Sequence, residues 1–183
     1  MMRQAWQFWQ KGVSQEFIDL VQEQADKVKW ARATTFSQND KESLSSTRRS
    51  NVKWLTGQED IHNLLCNYVL SSNEQLNVQV SNKCEIQFTQ YNSEDEGFYG
   101  CHHDINWENP EPHDRKISIS ILLSDPSEFD GGELRFHEVT NDGIEWQKGS
   151  VLCFPSFLQH SVSPVTRGTR KSLVAWFSGP RWR

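Results

Sequence analysis

The chain has 183 residues, 36% of them hydrophobic, and a formal net charge of −5, which suits one domain with a sizeable core. No apolar run approaches the roughly 18–20 residues of a membrane helix, and the N-terminal Met-Met-Arg-Gln-Ala-Trp lacks the apolar stretch of a signal peptide, so a cytoplasmic location is the default expectation. The acidic balance speaks against a nucleic-acid ligand, whose phosphates call for a basic surface.

Residues 14–29 read as an amphipathic helix. Ser14 stands at its N-cap, Glu16 lies in the first turn, and Phe17, Leu20, Val21, Ala25 and Val28 share one face. Residues 34–48 are rich in Ser, Thr, Asn and charge and read as a mobile loop. Within it begins a local basic run, Arg48-Arg-Ser-Asn-Val-Lys53, read either as a solvated face or as a contact on the substrate or cosubstrate side. Val52–Leu55 fits a short strand or a packed turn. Thr56-Gly-Gln-Glu59 has the form of a capping box. A helix is expected to follow to about Ser71, burying Ile61, Leu64, Leu65, Tyr68 and Val69, with Ser71-Ser-Asn-Glu74 breaking it.

From residue 78 the period changes from 3.6 to 2. Cys84, Ile86 and Phe88 alternate with Glu85, Gln87 and Thr89, and Ile117, Ile119 and Ile121 alternate with Ser118 and Ser120. Residues 92–97 form a polar acidic loop, Phe98–Asp104 reads as a strand, and 107–115, with two prolines, as a loop. Asp130-Gly-Gly132 is a turn signal ahead of a strand at 133–137. Further strands are expected at 144–147, 150–154, 160–165 and 172–177. The expected architecture is mainly β with α: a double-sheet barrel or jelly roll of about eight strands, with N-terminal helices packed on one sheet. Residues 1–183 are taken as a single domain, with a helical support region at 1–75 and the jelly-roll core at 76–183.

The chemistry concentrates in Tyr99-Gly-Cys-His-His-Asp104. On a strand, residues i and i+2 face the same way, so His102 and Asp104 can grip one metal ion. His103 should face away, although a one-residue slip would exchange its role with that of His102. His160 supplies a third ligand from a distant strand. Two imidazoles and a carboxylate with the opposite face open make the facial triad of non-haem Fe(II) oxygenases. Any one of these histidines alone would more often be a hydrogen-bonded or surface residue. Cys66, Cys84, Cys101 and Cys153 are widely spaced with no CxxC pair, so free thiols are expected rather than a cysteine-rich zinc site.

Arg170 adds a second component. An oxidative Fe(II) site needs a two-electron reductant, and 2-oxoglutarate is a common one. Its distal carboxylate needs a cation away from the metal, which a guanidinium meets as a bidentate pair. Fe(II), the Asp104 carboxylate, dianionic 2-oxoglutarate and Arg170 would then sum to neutrality. Ser172 shares the face of Arg170 and can add a hydrogen bond. Arg167 and Lys171 are rival cations, the first in a turn and the second facing away.

From about Arg48 to Pro180 the chain resembles the 2-oxoglutarate/Fe(II) dioxygenases of the prolyl 4-hydroxylase type, in particular their bacterial and viral branch. The matching pieces are Arg49-Ser-Asn-Val-Lys-Trp-Leu55, Phe98-Tyr-Gly-Cys-His-His-Asp104, Arg115-Lys-Ile-Ser-Ile-Ser-Ile-Leu-Leu-Ser124, Phe129-Asp-Gly-Gly-Glu-Leu134, Gly149-Ser-Val-Leu-Cys-Phe-Pro-Ser156 and the run from His160 to Phe177. The resemblance implies a double-stranded β-helix (cupin-like jelly roll), iron on His102, Asp104 and His160, and the distal carboxylate on Arg170. It also implies Tyr91 beside the cosubstrate. Many relatives carry a tyrosine on the strand after the HxD pair; here that strand reads Ile-Ser-Ile-Ser-Ile, so the contact is absent or replaced. The implied activity is hydroxylation of a C–H bond with O2 and 2-oxoglutarate, releasing succinate and CO2, with ascorbate as an accessory reductant. A peptidyl proline is the leading substrate by resemblance, and a free amino acid or small metabolite suits the same fold. Tyr99, Trp107, Arg135 and Trp176 are candidate substrate contacts, with plain packing the commoner role of each aromatic. The polar loops at 34–48 and 92–97 are candidate lids. A nucleic-acid demethylase would need a basic groove, and a non-catalytic jelly-roll module binding a metal or sugar would need no anchor such as Arg170 and Ser172.

Overall fold

The computed structural model describes residues 5–33, 46–108 and 110–182. The greater part of the expected loop at 34–48 therefore lies outside the described residues. The larger sheet runs in the order β1 (Gln7–Trp9), β10 (Val151–Pro155), β7 (His113–Leu122), β12 (Val165–Pro180), β5 (Cys84–Asn92), β4 (Asn51–Trp54), β2 (Ala31–Arg32), with β8 (Phe129–Gly131) pairing the start of β12. The smaller sheet runs β3 (Arg48–Arg49), β6 (Phe98–His102), β11 (His160–Val162), β9 (Leu134–Phe136). Every pairing is antiparallel. The sheets meet where Leu134 and Phe136 of β9 pack on Leu152 and Phe154 of β10, the two phenylalanine rings being 5.0 Å apart at an edge-to-face angle. The expected jelly roll with helices on one sheet is borne out.

Period-2 alternation divides the larger sheet into a core face and a site face. Ile86 and Phe88 of β5, Ile117, Ile119 and Ile121 of β7, Val151 and Cys153 of β10, and Leu173, Ala175 and Phe177 of β12 all join one buried cluster. The helices α1 (Gln15–Asp26) and α2 (Glu59–Leu76) close that cluster with Phe17, Ile18, Val21, Ala25, Ile61, Leu65 and Val69. Each valine, leucine, isoleucine or phenylalanine among them, taken from water, stabilises the fold by about 1.5–3 kcal/mol. The alternate residues, among them Gln87, Tyr91, Ser120, Arg170, Ser172, Val174 and Trp176, point instead into a cavity between the sheets.

The helices differ in their ends from the sequence expectation. In α1 the Ser14 hydroxyl accepts from Phe17 N at 3.3 Å, as its N-cap position predicts, but the helix ends at Asp26 rather than Lys29. The capping box at Thr56–Glu59 does not form. Gln58 is the N-cap of α2 without a side-chain cap bond, so Glu59 is the first helical residue and cannot reach back as the third would. Nor does Ser71-Ser-Asn-Glu74 break α2. Ser72 is fully buried on the packed face, and packing overrides the weak propensity of serine. The stop comes at Asn77, in the left-handed conformation (φ 50°), with the Asn73 side chain bracketing the backbone of Val78.

Two further differences lie in the strands. Ile144–Gln147 is irregular rather than a strand. β10 already has β7 on one side and β1 on the other, so Ile144 and Trp146 serve as side-chain packing, Trp146 meeting Phe8 edge-on at 5.3 Å. β1 itself carries no period-2 signature in its three residues. With β2, β3 and β4 it gives the first 75 residues strands in both sheets, beyond a purely helical support.

Candidate active site

β6 ends at His102, and Asp104 sits in the bend beyond it. Strand parity therefore does not by itself aim the carboxylate. Asp104 is fixed by its own backbone N–H, which donates to Ser156 O at 2.9 Å, and by Ser118 Oγ, which donates to Oδ2 at 2.6 Å. His160 on β11 stands opposite His102 in the pairing of β11 with β6. The result is three side chains whose ligand atoms all lie within 4.8 Å of one another. His102 Nε2 is 3.6 Å from Asp104 Oδ1, and His160 Nε2 is 3.7 Å from Oδ2.

The tautomers suit a metal. His102 Nδ1 lies 2.8 Å from Gly100 O, and His160 Nδ1 lies 2.9 Å from Leu158 O. A carbonyl accepts only, so in the neutral rings both Nδ1 atoms carry the hydrogen and both Nε2 lone pairs face the shared space. Burial pushes His160 down to about 4, against the pull of the Asp104 carboxylate, which leaves it neutral near pH 7. Burial works against the charge on Asp104, but His160 and His102 outweigh it and hold the carboxyl well below the usual range. Two imidazoles with Nε2 turned inward and a carboxylate, each braced by a second contact, are a donor set that fits Fe(II). His103 turns away, its Nδ1 at Ile105 O (2.9 Å) and its Nε2 accepting from Trp107 Nε1 (3.2 Å).

The same cavity, about 220 Å³, is lined by Tyr91, Tyr99, Arg170, Ser172 and Trp176 beside the three clustered residues. Arg170 is 3% exposed and lies opposite Tyr91 in the pairing of β12 with β5, with its guanidinium 5.7 Å from the Tyr91 ring centroid. Its Nη1 donates to Ser172 Oγ at 3.3 Å. No carboxylate among the described residues pairs with it, and burial draws the guanidinium below its ordinary value. Gly132, at φ +63°, makes room for it: a Cβ there would stand 2.6 Å from Arg170 Cδ. A buried cation without a counter-ion is costly unless an anion arrives. The rivals are otherwise engaged or outside: Arg167 is exposed and bidentate on Asp130, and Lys171 does not line the cavity.

The four candidate substrate contacts separate. Tyr99 stacks on His102, with ring centroids 3.4 Å apart, and Trp176 lines the cavity under Arg115, whose guanidinium carbon is 3.9 Å from the indole centroid. Trp107 is 62% exposed and Arg135 is exposed beside Glu133, and neither lines the cavity. The loop at 92–97 holds a short 3-10 turn, with Glu96 paired to Arg49.

Several site residues carry no sequence signal strong enough to single them out. Ser120, Glu85 and Gln87 read as the solvent side of alternating strands but line the cavity, and Ser118 on the same face is buried against Asp104. In the basic run, Arg49 is surface-paired whereas Arg48 is buried and lines the cavity. Ser120 occupies an inward position on β7, the strand that follows the HxD pair and has no tyrosine.

The arrangement is a cluster of two imidazoles and a carboxylate that shares one cavity with a buried guanidinium. Residues 86–178 match the family model of the 2OG-Fe(II) oxygenase superfamily, and the chain belongs to that superfamily. It is 46% identical over 55 residues to a PKHD-type hydroxylase of Nitrosomonas europaea, a segment that is 30% of this chain and 24% of that protein. It is 36% identical over 81 residues to one of Idiomarina loihiensis, 43% of this chain and 36% of the relative. The matches thus span about a quarter to a third of these curated relatives. By structure, a Pseudomonas putida prolyl-4-hydroxylase superposes with a TM-score of 0.72 at 21% identity, over 97% of this chain and 93% of that one. The viral collagen prolyl hydroxylase of Paramecium bursaria Chlorella virus-1 gives 0.67 at 17%, over 96% and 97%. These likenesses are of fold, and with the family match they bear out the resemblance to the prolyl 4-hydroxylase type.

Proposed function

We propose that the protein is an Fe(II)- and 2-oxoglutarate-dependent oxygenase that hydroxylates a peptidyl proline, with succinate and CO2 as coproducts. The observation that carries the cosubstrate is the pairing, in one cavity, of the His102–Asp104–His160 cluster with a buried Arg170 that lacks a counter-ion. The fold shared with prolyl hydroxylases supports the peptide substrate.

In this reading His102, Asp104 and His160 hold iron from one side. The bound iron and 2-oxoglutarate supply the oxidising chemistry, and the protein orients the reactants and excludes water. The backbone carbonyls of Gly100 and Leu158 fix both imidazoles with Nε2 inward. Ser118 holds Asp104 Oδ2, and Ser156 Oγ, 2.9 Å from Ser118 Oγ, extends that hydrogen-bonded network. Arg170 binds the distal carboxylate, braced by Ser172 and stacked near Tyr91. Tyr99 and Trp176 line the space left for the substrate. Leu134, Phe154 and Val162 give the cavity an apolar wall that limits water. Ascorbate enters only through the family resemblance.

The cavity suits a single side chain of a peptide or protein partner better than a folded surface. A cytoplasmic setting fits the free thiols of Cys66, Cys84, Cys101 and Cys153. No helix among the described residues is long and apolar enough to cross a membrane. Mass spectrometry of proline-containing peptides incubated with protein, Fe(II), 2-oxoglutarate and O2 tests the substrate. The expected product is a peptide heavier by one oxygen atom, formed in step with succinate. Succinate formation with no peptide product would move the substrate to a free amino acid or small metabolite.

A further inference from the structure

We propose that Arg48 is a specificity residue and that the substrate presents a carboxylate to it while its reacting C–H faces the metal ligands. This rests on the function proposed above and narrows its substrate class. Arg48 is 8% exposed and lines the same cavity as the metal cluster. It is held by neutral groups alone: Nε donates to Ser50 Oγ at 2.8 Å and Nη2 to Gln87 Oε1 at 2.9 Å. Thr89 Oγ1 donates to the same Gln87 oxygen at 3.1 Å, which fixes that oxygen toward the arginine. The guanidinium lies 4.5 Å from the Tyr99 ring centroid, and Tyr99 in turn stacks on His102. Nη1 has no hydrogen-bond partner and no carboxylate beside it among the described residues.

Charge accounting points the same way. Iron, Asp104, 2-oxoglutarate and Arg170 sum to neutrality, and Arg115 is paired with Glu85 at 2.9 Å. The charge of Arg48 is left over. A guanidinium fixed in place, desolvated and without a counter-ion is arranged for a carboxylate rather than for a neutral amide. Trp176 Nε1, buried and without an acceptor, adds an unused donor on the same cavity wall. The substrate is therefore a peptide with a carboxylate on or next to the hydroxylated residue: an acidic peptide, or a peptide hydroxylated at its free C-terminal residue.

The test uses matched probes on protein loaded with Mn(II) and 2-oxoglutarate, read by tryptophan fluorescence. N-acetyl-L-proline is compared with N-acetyl-L-prolinamide, and N-acetyl-prolyl-aspartyl amide with N-acetyl-prolyl-asparaginyl amide. A charge-assisted hydrogen bond predicts that a carboxylate probe binds about tenfold more tightly than its neutral partner. Arg48→Gln should bring the pair within about twofold, and Arg48→Lys should retain a preference. Equal binding within both pairs, a preference that survives Arg48→Gln, or no binding of any probe overturns the proposal. The wild-type comparison decides alone should Arg48→Gln not fold. A separate 2-oxoglutarate titration of the same sample keeps the two readings apart. Absent 2-oxoglutarate binding overturns the proposed function, whereas its presence without a carboxylate preference overturns only the role of Arg48.

Discussion

Ser118 Oγ donates to Asp104 Oδ2 at 2.6 Å, and both residues are buried. Ser118 can do this because its neighbours Ile117 and Ile119 pack beneath the helices, which commits the alternate position on β7 to the opposite face, against Asp104. The bond orients the carboxylate toward His102 and His160 and satisfies an oxygen that would otherwise lose a water. Ser118→Ala should lower Mn(II) affinity about tenfold, as for other contacts that position a metal ligand. Metal titration followed by electron paramagnetic resonance checks this, and an unchanged affinity would show that Asp104 needs no such brace.

Gly132 and Arg170 are a second such pair. At φ +63° Gly132 adopts a conformation that side chains resist, and a Cβ there would come 2.6 Å from Arg170 Cδ. Gly132→Ala should therefore displace the guanidinium and weaken 2-oxoglutarate binding about tenfold, at a cost in stability of about 1–3 kcal/mol. Mn(II) affinity should stay near wild type, because β9, and not β8 or Gly132 beyond it, borders β11. Calorimetric titration with each ligand separates the two effects, and a parallel loss of both would mean a wider distortion.

Acid should destabilise the metal-free protein through His160. Its pKa is pushed down to about 4 in the fold from an ordinary 6.5. The unfolded chain therefore takes up a proton first as pH falls. The stability linked to this group is complete above pH 6.5 and is lost as pH falls toward about 4. Between about pH 7 and 5 the loss should be on the order of 2 kcal/mol. Urea unfolding across that range measures it. His160→Gln should flatten this part of the profile, and an equal slope in that variant would assign it to other groups.

Much of the fold is legible in the sequence because strand alternation and helical periodicity are local. Ile117, Ile119 and Ile121, or Phe17, Val21 and Ala25, announce their buried face without reference to distant residues. Which polar face meets water and which lines a cavity depends on the second sheet, so Glu85, Gln87 and Ser118 are indistinguishable in sequence from surface residues. The limits of α2 depend on packing at Ser72 and on the left-handed Asn77, which the serine-rich stretch conceals. At the site, residue chemistry and order single out His102, Asp104, His160 and Arg170. Strand parity is an incomplete reason for the convergence of Asp104: the strand ends at His102, and hydrogen bonds to Ser156 and Ser118 aim the carboxylate. Arg48 and Arg49 look alike in sequence, and only their places on β3 make Arg49 a surface partner of Glu96 and Arg48 a wall of the cavity.

The central claim, that the His102–Asp104–His160 cluster and Arg170 form one cosubstrate site, is tested most directly by anaerobic titration of the Fe(II)-loaded protein with 2-oxoglutarate. Binding is followed by the weak metal-to-ligand charge-transfer band. The wild-type protein should develop the band and saturate. Asp104→Ala and His160→Ala should lose it. Arg170→Ala should retain it only at concentrations higher by about tenfold to a hundredfold, the loss expected for a buried charge-assisted pair. A 2-oxoglutarate affinity unchanged in Arg170→Ala, or a full band in Asp104→Ala, would contradict the account.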